Sequence, residues 1–435
     1  MSPTFSSLQI RNYRLWFAGA FVSNVGTWMG RVGQDWLVYT QLTDRSSTAL
    51  GLVTGLQFLP FLLLAPWAGV VVDRFRTRTV LLVTQSVLLL TSLLLAVLVL
   101  TDTAALWHVY ALALAQGVAT AFDNPARATF VSEMVPRDRI ANAVALNSAS
   151  FHGGRLVGPG VAGLLIAAWG TGLTLALNSL TFVVVLGSLL LLRTRELLPH
   201  PTLQLTKGAL RAGLRYVNAR RDLQLVMGLV FVLGTFGMNF QVTTALMATT
   251  VFDKGPEAYG LLGSIMAVGS LSAALLAARR GTPRLRVLLL ALAGFAVAAG
   301  AAALAPTYVL FALALVPVGL TSLTAMTTAN AMVQLRVVPE MRGRVMALYM
   351  AIFLGGTPFG APLIGWIGAA FGARWTIGIG SLAVALSLGA AVWWLAREEN
   401  VRVSFESHRR PRLLVTSTAT EDDDGPRTLV PEAAR

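Results

Sequence analysis

The chain is 435 residues long, 55% hydrophobic and only 12% charged, with a mean hydropathy of +0.68 and a formal charge of +14. A water-soluble protein of that composition would lack the polar surface to cover its core, so an integral membrane protein is expected. The absence of cysteine excludes disulfides and thiolate chemistry. The excess of cations comes without a basic stripe interleaved with stacking aromatics, so no nucleic-acid partner is expected.

Apolar runs of roughly 20 residues, the length that crosses a ~30 Å hydrocarbon layer, begin near Leu15, Ala49, Val80, Ala104, Ile140, Leu173, Leu223, Tyr259, Val287, Tyr308, Val345 and Thr376. They predict an all-α fold of about twelve spans, six to each half. Asn24, Arg31, Gln34 and Asp35 interrupt the first run, which is therefore expected to stay in the mature protein rather than be cleaved as a signal peptide. Cations sit before the first span (Arg11, Arg14) and after the second (Arg74, Arg76, Arg78), fourth (Arg127, Arg137, Arg139), eighth (Arg279, Arg280, Arg284, Arg286) and tenth (Arg336, Arg342, Arg344). The opposite loops hold only Arg45, Lys254 and Arg374. Because cations accumulate in cytoplasmic loops, both termini are expected to face the cytoplasm of a multi-pass protein in the cell membrane.

Phe151, Gly153, Gly154, Gly158, Gly163, Gly170, Ser179 and Leu180 recur as Phe353, Gly355, Gly356, Gly360, Gly365, Gly372, Ser381 and Leu382, at a constant offset of 202 residues, 151 to 353 and 180 to 382 alike. A same-direction repeat of apolar helices predicts two tandem six-helix bundles, the architecture of secondary transporters. The expected divisions are residues 1–192, a polar linker over 193–222, a second bundle over 223–397, and a cytoplasmic tail over 398–435. In the linker, Leu210, Leu214 and Val217 recur at i, i+4 and i+7, which suits a short amphipathic helix on the inner leaflet as well as a solvated connection. The tail carries Arg409, Arg410, Arg412 and then Glu421, Asp422, Asp423 and Asp424, too polar to form a core, and is read as disordered.

The loop after the second span reads Gly69-Val70-Val71-Val72-Asp73-Arg74-Phe75-Arg76-Thr77-Arg78. It resembles the G-x-x-x-D-R-x-G-R-[RK] signature of the major facilitator superfamily. Gly69, Asp73, Arg74 and Arg78 match, whereas Arg76 stands for the expected glycine and Thr77 for a basic residue. The resemblance implies a cytoplasmic gate at these residues, with Asp123 at the end of span four as a contact for Arg74. In span five, Gly154, Gly158, Pro159 and Gly163 resemble the G-x-x-x-G-P-x-x-G-G motif associated with proton-driven exporters. Tight helix packing would use the same small residues.

Finer resemblance is to the branch that includes the enterobactin exporter and related secretion effectors. It is carried by Thr27-Trp28-Met29, Gln34-Asp35-Trp36-Leu37-Val38, Phe122-Asp123-Asn124-Pro125-Ala126-Arg127, the stretch from Asn142 to Ser148, and Val338-Pro339-Glu340-Met341-Arg342-Gly343-Arg344-Val345. It implies efflux of an amphipathic small molecule, such as a drug, siderophore or secondary metabolite, by alternating access and proton antiport, in a monomer without cofactor or metal. An importer shares the fold. A membrane-embedded enzyme is disfavoured, since no P-loop, HExxH or GxSxG pattern occurs.

Ionisable groups inside spans are costly unless paired or facing a cavity. The candidates for proton coupling are Asp35, Arg31, Arg155 and His152, with an interfacial Arg31–Asp35 ion pair and a packing role for His152 as the plainer alternatives. Asn24, Trp28, Gln34, Asn147, Arg155, Asn239 and Gln241 are the candidates for lining a substrate cavity. Each polar one among them also suits helix-to-helix hydrogen bonding.

Overall fold

The computed structural model describes residues 3–198, 209–279, 283–398, 402–406 and 412–416. Lys207, Arg280, Arg409, Arg410 and the acidic run from Glu421 to Asp424 lie outside the described residues. Residues 1–385 form one compact unit and residues 386–435 a second.

The first unit is helical throughout. Its long elements are α1 (Arg11–Trp36), α2 (Ser47–Arg74), α3 (Thr77–Leu100), α4 (Leu106–Glu133) and α5 (Ile140–Leu190), followed after the linker by α6 (Ala209–Asn218) and α7 (Arg221–Val232). Then come α8 (Phe240–Leu246), α9 (Pro256–Arg279), α10 (Leu285–Leu304), α11 (Tyr308–Arg336), α12 (Pro339–Gly355), α13 (Thr357–Phe371) and α14 (Ala373–Glu398), which runs on into the second unit. Side chains supply acceptors for first-turn backbone donors of two helices. Ser46 Oγ accepts from the Ala49 N–H at the start of α2, and Thr307 Oγ1 from the Leu310 N–H at the start of α11.

Apolar residues face outward as well as inward: on α10, Val297 is 74% and Leu304 81% exposed. Such surface is stable in hydrocarbon and not in water. Among the described residues, nine helical stretches are long and apolar enough to cross a membrane, the continuous run 137–190 being one of them. That run is broken at Gly170, whose φ of 81° and ψ of 171° belong to a region only glycine enters freely. The counterpart at the repeat offset, Gly372, breaks the chain between α13 and α14 at φ 93° and ψ 161°. The repeat read from the sequence is therefore a repeat of backbone conformation.

The single apolar run expected from Leu223 is divided. α7 passes into a π-helical turn at Leu233–Gly237, the chain breaks at Met238 and Asn239, and α8 ends in a second π-turn, Met247–Val251. Asn239 Nδ2 donates to the Thr235 carbonyl, taking the acceptor that the Asn239 N–H would use in a continuous α-helix. α1 also ends in a π-turn, Leu37–Leu42.

The core at the end of the molecule holding the chain start is built from α1, α4 and α5. Trp16 meets Phe130 edge-on at 5.3 Å between centroids, and the buried Tyr13 hydroxyl donates to the Ala143 carbonyl at 2.7 Å. The linker helix α6 forms where the i, i+4, i+7 pattern places it and approaches α12, where a Cβ on Gly213 would lie 3.3 Å from the Arg344 carbonyl oxygen. Arg220 grips Asp222 with two hydrogen bonds of 2.9 Å, and Arg336 reaches the same carboxylate at 3.4 Å.

In the second unit, β1 (Arg402–Glu406) pairs antiparallel with β2 (Arg412–Thr416), setting Val403 opposite Val415 and Phe405 opposite Leu413.

A Cβ on Gly170, Gly372 or Gly187 would meet nothing within 4 Å, but only the first two have positive φ. Gly170→Ala and Gly372→Ala are each expected to destabilise the protein by about 1–3 kcal/mol, whereas Gly187→Ala, inside a helix, should be neutral or stabilise by up to ~1 kcal/mol. Thermal unfolding of the purified variants in one detergent checks this, and equal midpoints for all three would contradict it.

Candidate functional site

Helix α5 is held against α1 by the small residues of its motif. A Cβ on Gly154 would come 2.8 Å from the Asn24 carbonyl carbon, and one on Gly158 would come 2.7 Å from Trp28 Cβ. Farther along, α5 turns toward α9: Pro159 and Gly163 meet Gly260, and a Cβ on Gly163 would come 2.5 Å from the Pro256 carbonyl oxygen. The repeat-related residues make the corresponding contacts. Gly360 on α13 packs against the Thr235 carbonyl as Gly158 packs on α1, and Gly365 packs against Ser47 at the start of α2 as Gly163 packs at the start of α9.

One end of the molecule is sealed by contacts between residues before and after the linker. Tyr259 donates to an Asp35 carboxylate oxygen at 3.0 Å, the Tyr39 and Thr250 hydroxyls share a hydrogen bond of 2.7 Å, Ser47 donates to the Gly365 carbonyl at 2.7 Å, and the Gly160 N–H donates to Ser264 Oγ at 3.0 Å. Trp36 stacks on the Tyr259 ring at 6.2 Å. All of these lie toward the end where α1 finishes and α2 and α9 begin. These four hydrogen bonds between the halves gather at that one end.

One helical turn before Asp35 lies Arg31, and about one turn before Gly160 lies Arg155. Their guanidinium carbons stand 5.0 and 5.3 Å from the centroid of the same ring, Trp28, and Arg31 also lies 5.5 Å from the Phe58 ring. Phe151 closes on Trp28 edge-on at 5.9 Å. Arg31 and Asp35 are not within ion-pair distance, so the interfacial pair anticipated from their i, i+4 spacing does not form: the guanidinium turns to the aromatic rings and the carboxylate to Tyr259. Gln34 accepts from Gln57 at 3.2 Å, while its buried Nε2 and the buried Nδ1 of His152 have no partner among the described residues.

Other candidates are placed more loosely. Asn24 donates to Ser150 at 2.9 Å and so serves the α1–α5 contact, and Asn147 is half-buried on α5. Asn239 is buried and holds Thr235, Gln241 is half-buried on α8, and neither is hydrogen-bonded to the arginine cluster. A cavity of about 260 Å³ is lined by Met326, Thr327 and Asn330 of α11 and by Tyr349, Met350 and Phe353 of α12.

At the opposite end from the seal, Asp73 and Arg74 finish α2, four residues or more beyond Gly69, and Arg78 donates through Nε to the Leu189 carbonyl at 2.9 Å. The contact expected between Asp123 and Arg74 is not made. Asp123 is 3% exposed, accepts from Thr84 at 2.8 Å and Gln85 at 2.7 Å on α3, and forms an ion pair with Arg127 one turn along its own helix. With its lone pairs so occupied, Asp123 fastens α3 to α4.

Sequence reasoning did not find Tyr39, Thr250, Tyr259 or Ser264. The one available signal was Tyr259 itself, a hydroxyl-bearing ring at the first turn of an apolar run.

The helical unit agrees in fold with solved transporters. It matches a bacterial homologue of the human lysosomal transporter Spinster in an inward-facing conformation at a TM-score of 0.70, with 14% identity over 91% of this chain and 98% of the other. It matches the nucleoside transporter NupG at 0.67, with 14% identity over 88% and 98%. The chain belongs to the transmembrane secretion effector family of the major facilitator superfamily, which it matches over residues 2–427. It is 27% identical over 370 residues to the enterobactin exporter EntS of Shigella flexneri, covering 82% of this chain and 85% of the relative. It is 24% identical over 264 residues to the staphyloferrin A transporter of Staphylococcus aureus, covering 60% and 66%.

Because Gly260 leaves no room for a side chain beside Pro159, Gly260→Val is expected to weaken the seal by at least about 1–3 kcal/mol. In the cysteine-free chain, a Ser264→Cys reporter should then react with a membrane-impermeant maleimide at least about fivefold faster than without the valine. An unchanged rate would show that α5 and α9 do not form the seal.

Proposed function

We propose that the protein exports an amphipathic small molecule by alternating access, driven by inward proton flow. The observation that carries this reading is the Tyr259–Asp35 hydrogen bond, because it joins a buried carboxylate of one half to a residue of the other. Twelve spans follow when the run 137–190 is divided at Gly170 and α1 and α4 are added to the stretches long and apolar enough to cross. The two bundles are then 1–192 and 223–397, joined by the linker over 193–222, with a cytoplasmic tail beyond. The distribution of cations supports a cytoplasmic position for both termini and the Gly69–Arg78 loop; on this reading the sealed end is extracellular and the described state inward-open.

When the seal opens, Asp35 faces the outside and can take a proton. When it closes, Asp35 is buried beside Tyr259, and the proton can leave only toward the inward cavity. Arg31 on α1 is the charged group nearest along the same helix, and His152 and Arg155 on α5 complete the set available to it. Export rather than import is supported by the motif Gly154, Gly158, Pro159 and Gly163 and by the relative named as an enterobactin exporter. The substrate would cross through the path lined by Trp28, Gln34 and Arg155, with Asp73, Arg74 and Arg78 controlling the cytoplasmic mouth. A monomer contains the complete path.

In everted vesicles, proton-gradient-driven accumulation of an exported dye is expected to fall at least about tenfold in Asp35→Asn, while gradient-independent exchange persists. Coupling at the wild-type level in Asp35→Asn would place the proton site elsewhere. The cysteine pair Tyr39→Cys and Thr250→Cys should form a disulfide across the seal under oxidation and stop transport reversibly. Full activity after complete cross-linking would contradict alternation at this end.

A further inference from the structure

The two arginines beneath the seal lack the counter-charge that groups in a membrane interior ordinarily carry. Arg31 and Arg155 both approach Trp28, and the two ring distances, 5.0 and 5.3 Å, cap the separation of their guanidinium carbons at about 10 Å. Neither forms an ion pair with a carboxylate among the described residues. The nearest acid along α1, Asp35, accepts from Tyr259 instead. Arg31 and Arg155 are each half-buried as whole residues.

Two like charges held this close in a low-dielectric setting repel each other, and the ring contacts offset only part of that repulsion. Neighbouring polar atoms add donors rather than negative charge. Gln34 Nε2 is a buried amide donor without a partner, since the other end of that side chain is occupied by Gln57. Trp28, Phe58 and Phe151 supply a flat apolar wall beside the cations. A ligand that satisfies this set carries negative charge next to an aromatic or otherwise planar apolar body.

We propose that Arg31, Arg155 and Trp28 form the substrate site, and that it selects anionic amphipathic molecules. Arg31 is held against Phe58 of α2 and Arg155 projects from α5, so the two cations reach the ligand from different helices. α1, which carries Arg31, and α5, which carries Arg155, both make contacts of the seal, through Asp35 and Gly160. The site is therefore the closed apex of the inward cavity, and the inference rests on the export reading above for its place in the cycle, though not for its charge preference.

The test uses the full chain in nanodiscs and two probes with one scaffold, 1-anilinonaphthalene-8-sulfonate and the uncharged N-phenyl-1-naphthylamine, with empty nanodiscs subtracted. Wild-type protein is expected to bind the sulfonate at least about tenfold more tightly than the neutral probe. Arg31→Gln and Arg155→Gln should each weaken sulfonate binding about tenfold or more, with a change under about twofold for the neutral probe, and Arg155→Lys should restore part of the loss. Equal or absent binding of the two probes by the wild type would overturn the proposal even if the glutamine variants failed to fold. Equal losses for both probes in folded variants would overturn it as well, by showing a structural effect. Transport of the same probes in everted vesicles is read separately: anion-selective binding without export would leave this site standing and remove the export reading.

Discussion

The contact on which the rest of the molecule depends is the approach of α5 to α1 and α9, and of its repeat partner α13 to α7 and α2, through residues that have no side chain to hold them apart. In a membrane, apolar side chains gain little by leaving lipid for one another, so association rests on close packing and on hydrogen bonds between helices. Gly154 and Gly158 bring α5 onto α1, and Gly360 brings α13 onto the π-turn after α7. Gly163 and Gly365 then carry the same two helices across to the first turns of α9 and α2. Each helix thus has one surface fixed within its own half and another pressed against the opposite half. At Gly163 and Gly365 the second contact is made with backbone atoms at the first turns of α9 and α2.

That arrangement was legible in outline from the sequence. A constant offset between Gly154 and Gly356, Gly158 and Gly360, and Gly170 and Gly372 is visible without coordinates, and the structure gives the pairs equivalent neighbours or equivalent φ. The small-residue motif and the apolar runs follow from composition and spacing for the same reason: they are local patterns with a direct physical consequence. What was not legible depends on distant partners. Asp123 looked available to Arg74 because both lie near one loop, but Thr84, Gln85 and Arg127 saturate it first. Arg31 and Asp35 have the spacing of a helical ion pair, yet each finds a better partner across a helix boundary, the aromatic rings for one and Tyr259 for the other. The break after Thr235 escaped notice because hydropathy averages over a window, whereas the break comes from one amide side chain taking one carbonyl.

The charges beneath the seal also bear on direction. An isolated cation in the bilayer interior costs several kcal/mol, and two near one ring cost more, so their retention in α1 and α5 needs a compensating gain. An anion that enters from the cytoplasm and neutralises them supplies it. Moving one elementary charge through 100 mV changes its free energy by about 2.3 kcal/mol. Across a membrane that is negative inside, that term pushes an anion outward and resists its entry. A site that selects negative charge therefore places the electrical part of the driving force behind export, while import of the same molecule would oppose it. On the proposed reading, the cation pair and the carboxylate act on different parts of one cycle: Arg31 and Arg155 would set what is carried, and Asp35 what returns.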